Sequence, residues 1–368
     1  MDVTAVHDPD FGPLLLAVSF AASSQAFRDE RLSRAASGQC AARRLNGRMG
    51  PDSWPMLEDV ERARVRQLLG PSLSQAEAHR LRPAVREIAD ELADTMASAG
   101  PPADLVRHWA RPLPARVAAL ILGLDESDST EMTTWAEAIL AVDADDADQV
   151  AAAVRGIAKV SMKLWHAERR HPRPDTFTGR LRSAYGDSSD ARRDFVKRVT
   201  DIIVGACENS MVFIQTGVVG LLSADVDGLP LLHEHPELVP SAVEELLRVH
   251  PPGKVGLLRT AVADTEIRGH PVAAGTAVLP MVSTANVDPA MGPDAGALNL
   301  HAPPRRHLTF GAGSHYCPGA SIARMEMRIV LEVLAERWPT LALAMPLDEL
   351  EHRPGHIVDG YTEVPLVW

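Results

Sequence analysis

Apolar side chains along this chain fall mostly at three- and four-residue spacing, the period of a helix with one buried face. Residues 82–96 show that stripe, and the same period runs from residue 81 to about residue 193. It is interrupted at Gly100-Pro101-Pro102, between Pro112 and Pro114, and between Pro172 and Pro174, where glycine and proline end helices. Strand signals are short and few: residues 14–20, then 257–260, 265–267, and 276–281 after a turn at Gly275. Behind the first of them, Ser23 or Ser24 can cap a helix that ends in Arg28-Asp29-Glu30-Arg31-Leu32-Ser33. Residues 36–56, with Gly38, Gly47, Gly50, Pro51 and Pro55, read as loop. The pattern predicts a mainly α fold with small β-sheets. Residues 1–368 show no Ser/Gly-rich linker, low-complexity run or repeat, and the length fits two domains or one large one.

Residues 202–222 form a long apolar run that superficially resembles a membrane span. Glu208, Asn209, Ser210 and Gln215 in its middle make that expensive. A helix crossing a protein core, with one polar step, is expected instead. Residues 14–18 are too short to span a bilayer, and Met1-Asp2-Val3-Thr4 lacks the basic start of a signal segment. The formal charge of −12 argues against a nucleic-acid partner, which would want a basic face. Cys40, Cys207 and Cys317 are too few and too scattered for a disulfide framework. A soluble, cytoplasmic protein is expected, with neither a membrane nor a nucleic acid as partner.

The candidate chemistry sits in Phe310-Gly311-Ala312-Gly313-Ser314-His315-Tyr316-Cys317-Pro318-Gly319. Its glycines permit tight turns and a close approach to a flat ligand. Cys317 then stands at the mouth of a helix that begins near Gly319 and runs through Ile322, Ala323, Met325, Ile329 and Val330. Helix N-termini favour thiolate over thiol, and a thiolate on such a loop suits an axial position on haem iron. The plain alternative is a buried structural cysteine after a glycine turn. Arg62 and Arg66, four apart in residues 57–69, share a helix face and could clamp carboxylates or simply meet solvent. Glu245 and Arg248 sit three apart, most often a surface ion pair. His270 reads as a turn or surface residue, and no paired Cys/His spacing points to zinc.

The decapeptide resembles the haem-binding loop of cytochrome P450 enzymes, Phe-x-x-Gly-x-x-x-Cys-x-Gly, with Phe310, Gly313, Cys317 and Gly319 at its fixed positions. The likeness extends from about residue 14 to residue 368. It implies the single-domain fold of that family and haem b, with Cys317 as the proximal iron ligand. Phe310, Gly311, Gly313, Gly319 and Ala323 would lie against the cofactor. Arg66, Arg259, His307 and His315 match propionate-binding positions, and Arg62 stands where histidine is usual. In the central helix, Gly205-Ala206-Cys207-Glu208-Asn209-Ser210 corresponds to Ala-Gly-x-Glu-Thr-Thr, so Glu208 and Asn209 are the candidate catalytic residues. Asn209 replaces the threonine that ordinarily helps deliver protons. Glu245 and Arg248 match a buried Glu-x-x-Arg pair whose usual third partner, an arginine, is replaced by Ala297.

The resemblance also implies a shortened N-terminal part, with the first helix and outermost strand missing or reduced. Residues 142–170 would form lid helices, and a final hairpin would bring a tip near residues 356–358 into the substrate pocket. The expected function is oxidation of a small organic molecule, a secondary metabolite in a bacterial biosynthetic route, with oxygen and electrons from ferredoxin and ferredoxin reductase. A carrier protein presenting the substrate is a further candidate partner, and Arg324 and Arg328 are candidate docking cations. The alternatives are a peroxide-using, coupling or rearranging haem enzyme, and a catalytically silent helper of another enzyme.

Overall fold

The computed structural model describes residues 1–8, 12–39, 50–57, 59–141, 147–224, 226, 228–353, 358 and 360–368. The chain opens on β1 (Val3–Asp8), antiparallel to β2 (Gly12–Ala17) in register Val3 to Ala17. An outermost strand is therefore present, against expectation. Its mixed Val-Thr-Ala-Val-His-Asp sequence, with the residues half-buried or exposed, hides it from a search for apolar runs. Helix α1 (Phe20–Arg28) follows, capped by Ser19 rather than Ser23 or Ser24. Ser19 has the extended backbone an N-cap needs, and its Oγ accepts from the Ala22 amide at 3.1 Å. Ser23 is already inside the helix and donates to the Ala17 carbonyl. After β3 (Leu32–Ser33), Cys40 and most of the following loop lie outside the described residues.

Helices then dominate: α2 (Asp59–Leu73), α3 (Gln75–Ala99), and, after β4 (Ala103–Asp104), α4 (Pro112–Leu122), α5 (Met132–Leu140), α6 (Ala147–Arg170) and α7 (Phe177–Tyr185). Ser74 caps α3 by accepting from Glu77, and the Gly100 backbone closes it. The long helix α8 (Ser189–Ser223) runs through the core, in contact with α4, α5, α6, α7, α10 (Val239–Val249) and α12 (Ala320–Arg337), and with the short α9 (Gly228–Glu234). It alone among the described helices is long and apolar enough to cross a bilayer. Its apolar window is 78% buried inside the protein, as a core helix requires.

The second half adds β5 (Arg259–Ala261), β6 (Thr265–Ile267), β7 (His270–Val272), β8 (Ala277–Pro280) and α11 (Val282–Asn286), then, after α12, β9 (Ala342–Leu343) and β10 (Pro365–Val367). The larger sheet has strand order β1-β2-β8-β5-β3, with β2 and β8 parallel. It carries Arg259 opposite Val278 and sets β3 beside β5. A three-stranded sheet (β4-β10-β9) and the β6–β7 hairpin, where exposed His270 faces Ile267, complete the β structure. One hydrophobic cluster joins side chains from Trp54 to Leu366. Arg82 with Glu332 and Arg86 with Glu336 tie α3 to α12 along its rim.

Candidate active site

The cysteine loop is folded by its own backbone before any side chain acts. Gly311 and Gly313 take φ of +70° and +71°, where a side chain is strained. A Cβ on Gly313 would lie 3.1 Å from the Phe27 carbonyl, so the loop is pressed onto the end of α1. The Gly311 amide donates to Leu308 at 2.8 Å, and the Cys317 amide donates back to the Phe310 carbonyl at 2.9 Å. Helix α12 starts three residues after Cys317, and the N–H groups of Gly319 and Ala320 reach its thiol. Burial pushes that thiol up, while these two amides and the Arg66 and Arg324 guanidinium groups pull it down. Ala323 continues the first turn, bonded to Gly319 at 3.0 Å.

Above this loop the fold gathers cations. Arg62 and Arg259 are buried, and Arg66 donates to the Tyr316 carbonyl at 2.8 Å. Arg34, absent from the expected set, joins them almost wholly buried, its guanidinium donating to Leu258. Only the β3–β5 pairing brings it beside Arg259, so the usable signal was an arginine directly after the Leu32-Ser33 strand. Arg259 donates to Leu257 at 2.9 Å and stacks 4.8 Å from the Phe27 ring. Burial, then Arg62, holds Arg259 down at about 10, and burial with Arg259 holds Arg34 well below its ordinary value. His315 is pushed down to about 3 by burial, then by Arg62, Arg259, Arg34 and Arg66. Its Nδ1 is buried with no hydrogen-bond partner among the described residues. Like charges gathered in a dry place are costly unless an anion joins them. A thiol with two amide donors beside such a cluster fits haem, with its iron and two carboxylates.

His307 does not join the cluster. Its Nε2 lies 3.2 Å from Glu244, whose carboxylate also takes Arg324. Phe310 packs between these groups: its ring is 6.0 Å from the His307 ring and 4.6 Å from the Arg324 guanidinium. Arg324 is thus engaged with Glu244, with 24% of its side chain left exposed. Arg328 is half-buried, with its Nε unpartnered among the described residues.

On the opposite side, the two candidate catalytic residues diverge. Asn209 is exposed, and its Nδ2 lies 3.4 Å from the Gly205 carbonyl. Glu208 is fully buried and bonded to Arg353, which also reaches Glu137 at 2.6 Å. Arg111 holds the other side of Glu137 at 2.8 Å. Burial raises Glu208 to about 7; Arg353 and Arg111 oppose this, and Glu137 adds to it. A second buried carboxyl, Glu326 on α12, faces Ser210 and is raised to about 7 by burial. Its place in the Cys317 helix gave no sequence sign of burial next to α8.

The Glu245–Arg248 pair is buried, with Nε to Oε2 at 2.8 Å and Nη2 to Oε1 at 2.6 Å. Backbone takes the role of the absent arginine. Arg248 donates to the carbonyls of Asn286, Ala295 and Ala297, and the Asn299 amide donates to Glu245. Of the expected lid, residues 142–146 lie outside the described residues and 147–170 form α6. The hairpin tip is described only at Val358, which is buried.

Known proteins place this arrangement. A family profile described as Cytochrome P450 matches residues 233–339. Mycinamicin IV hydroxylase/epoxidase of Micromonospora griseorubida is 35% identical over 314 residues, 85% of this chain and 79% of that protein. Nocardicin C N-oxygenase of Nocardia uniformis subsp. tsuyamanensis is 33% identical over 346 residues, 92% of this chain and 86% of that one. Among solved structures, the LnmA cytochrome P450 hydroxylase from the leinamycin pathway of Streptomyces atroolivaceus S-140 superposes with a TM-score of 0.88 at 32% identity, covering 100% of this chain and 93% of that one. On these matches in sequence and fold, the chain belongs to the cytochrome P450 family of haem-dependent oxidoreductases.

Proposed function

We propose that this enzyme inserts one atom of dioxygen into a small organic molecule of bacterial secondary metabolism. The second oxygen atom leaves as water, and the balance is closed by two electrons from ferredoxin and two solvent protons. The observation that carries the reading is the Cys317 thiol with two amide donors next to a buried cation cluster. Relatives named for hydroxylation, epoxidation and N-oxygenation support oxidation as the reaction class. Ferredoxin reductase would recharge the ferredoxin, the reaction would take place in the cytoplasm, and the substrate would arrive free or on a carrier protein.

Haem, when bound, supplies dioxygen activation. The chain supplies the rest. Cys317 would ligate the iron, and Arg34, Arg62, Arg66, Arg259 and His315 would hold the propionates. Phe310, Gly311, Gly313, Gly319 and Ala323 would border the ring. His307 serves the loop through Glu244 rather than the propionates. Asn209 can orient water or a substrate hydroxyl, but a carboxamide does not release a proton at neutral pH. Adjacent helix residues point about 100° apart, and Glu208 is turned to Arg353, so it does not stand in for the missing hydroxyl directly. Protons then reach the reacting oxygen through ordered water or the substrate itself.

Asn209 also favours a second reading, in which peroxide replaces oxygen and reductant. The two are separated by product formed per electron pair. Candidate metabolites are first screened by the shift of the haem absorption band, then turned over with ferredoxin, reductase and oxygen. Tight coupling supports the proposal. Turnover with peroxide and none with oxygen and reductant overturns it.

A further inference from the structure

Helix α8 is closed on nearly every side through its middle. From Ile202 to Gln215 every residue is buried except Gly205, Ala206 and Asn209. A Cβ on Gly205 would meet nothing within 4 Å. Positions 201, 205 and 209 are four apart and share one face. The opening over Gly205 and Asn209 therefore leads along the helix to Asp201, eight residues and roughly 12 Å from Asn209. Asp201 is built into the fold: its side chain is 10% exposed and that of Arg198 only 3%. Its Oδ1 accepts from the Trp54 amide at 3.1 Å, and Arg198 donates to the Asp52 carbonyl. Arg198 Nη1 and Asp201 Oδ2 stand 3.2 Å apart but are not aligned for a hydrogen bond. Both atoms, and Arg198 Nε, lack a hydrogen-bond partner among the described residues.

We infer that Asp201 is a specificity-determining residue, whose Oδ2 takes a protonated amine of the substrate at the end of the open stripe away from Asn209. The inference rests on the proposed reading that the Asn209 end of the stripe faces the haem. The charges around Asp201 select the partner. Lys197 meets Asp52 at 3.1 Å and Asp194 at 3.2 Å. Two cations, Lys197 and Arg198, thus stand against three carboxylates, Asp52, Asp194 and Asp201, and one negative charge is left over. Burial pushes Asp201 up to about 6, while Arg198, the Trp54 amide and Lys197 oppose it. A carboxylate held dry with an oxygen unsatisfied gains from any donor that reaches it. An alcohol offers that donor, but only a cation also cancels the remaining charge. The substrate class is then a secondary metabolite with a basic nitrogen roughly 12 Å from the end held near Asn209.

The test uses the ferric holoenzyme and three 1-alkylimidazoles, whose ring nitrogen binds iron and whose chains are long enough to span that distance. The chains end in methyl, hydroxyl or ammonium, and binding at pH 7 is read from the shift of the haem absorption band. Asp201→Asn, which keeps an oxygen for the Trp54 amide, is expected to weaken the ammonium probe about tenfold. The methyl and hydroxyl probes should bind it nearly as they bind wild type, and Asp201→Glu should restore most of the ammonium affinity. Asp52→Asn removes an outer carboxylate of the same group, 65% exposed, and should cost the ammonium probe little. Equal losses for all three probes in Asp201→Asn overturn the inference, because Asp201 then only seats the chain at Trp54. An equal loss of the ammonium probe in Asp52→Asn overturns it too, by making the preference one of field rather than contact. The reading beneath it fails separately, and takes the inference with it, if none of the three imidazoles moves the haem band of the wild type.

Discussion

Glu244 grips Arg324 with both carboxylate oxygens, at 2.6 and 2.9 Å, and this lays the guanidinium 4.6 Å over the ring of Phe310. A helix that carries no ligand thereby braces the loop that carries Cys317. Burial alone would raise Glu244, but hydrogen bonds from His307 and Arg324 outweigh it and hold the carboxyl at about 2. A depressed acid contributes stability above its unfolded value, and that contribution is lost as pH falls from about 4.5 through about 2. Urea unfolding of wild type and Glu244→Gln should therefore differ by roughly 1–3 kcal/mol at pH 7 and converge only below about pH 2. A constant difference across that range would mean the grip is packing rather than charge.

Glu326 should show the opposite sign. Burial raises it to about 7 from 4.5, so ionising it costs stability. The favourable contribution is complete below about pH 4.5 and is lost as pH rises through about 7. Glu326→Gln should be close to wild type at pH 5 and more stable at pH 8, by up to about 3 kcal/mol if no relaxation intervenes. Equal stability of the two proteins at pH 8 would show that the carboxyl is solvated.

Pro318 follows the cysteine and has no N–H, so among the described residues the thiol takes its amide donors from Gly319 and Ala320. Restoring a donor with Pro318→Leu should withdraw charge from the sulfur and raise the reduction potential of the holoenzyme. An unchanged or lower potential would leave proline only its structural part at the start of α12.

What could be read in advance was what is local in the chain. The glycine-rich loop, the helix after it and the apolar period of α3 and α8 are set by neighbours within a few residues. The Glu245–Arg248 pair was visible for the same reason, being three apart. Arg353 lies 145 residues from Glu208, and nothing in either neighbourhood marks the other. Arg34 was missed because its meaning comes from a sheet contact with β5, and β1 because half-exposed edge strands need not alternate. His307 was misassigned by position: the motif places it near the haem loop, while Glu244, 63 residues earlier, decides which way it faces.

The cation cluster makes a prediction that changes sign with the cofactor. Without an anion, Arg259 sits buried near Arg62 and Arg34, and burial followed by Arg62 holds it down at about 10. A base depressed in the folded state opposes folding at every pH below that value. Removing its charge in the apoprotein should therefore stabilise: Arg259→Met is expected to gain on the order of 1–2 kcal/mol near pH 7, after some loss of the stacking on Phe27. If Arg259 holds a propionate in the holoprotein, as proposed, its loss leaves buried negative charge short of a partner. Haem should then leave several-fold faster, and the thermal midpoint should fall below that of the wild-type holoprotein. Paired melts of apo and holo forms, with haem transfer to an acceptor globin, read both signs at once. Destabilisation of the apoprotein by Arg259→Met would show that the arginine is held for packing, and that the carboxylates bind elsewhere.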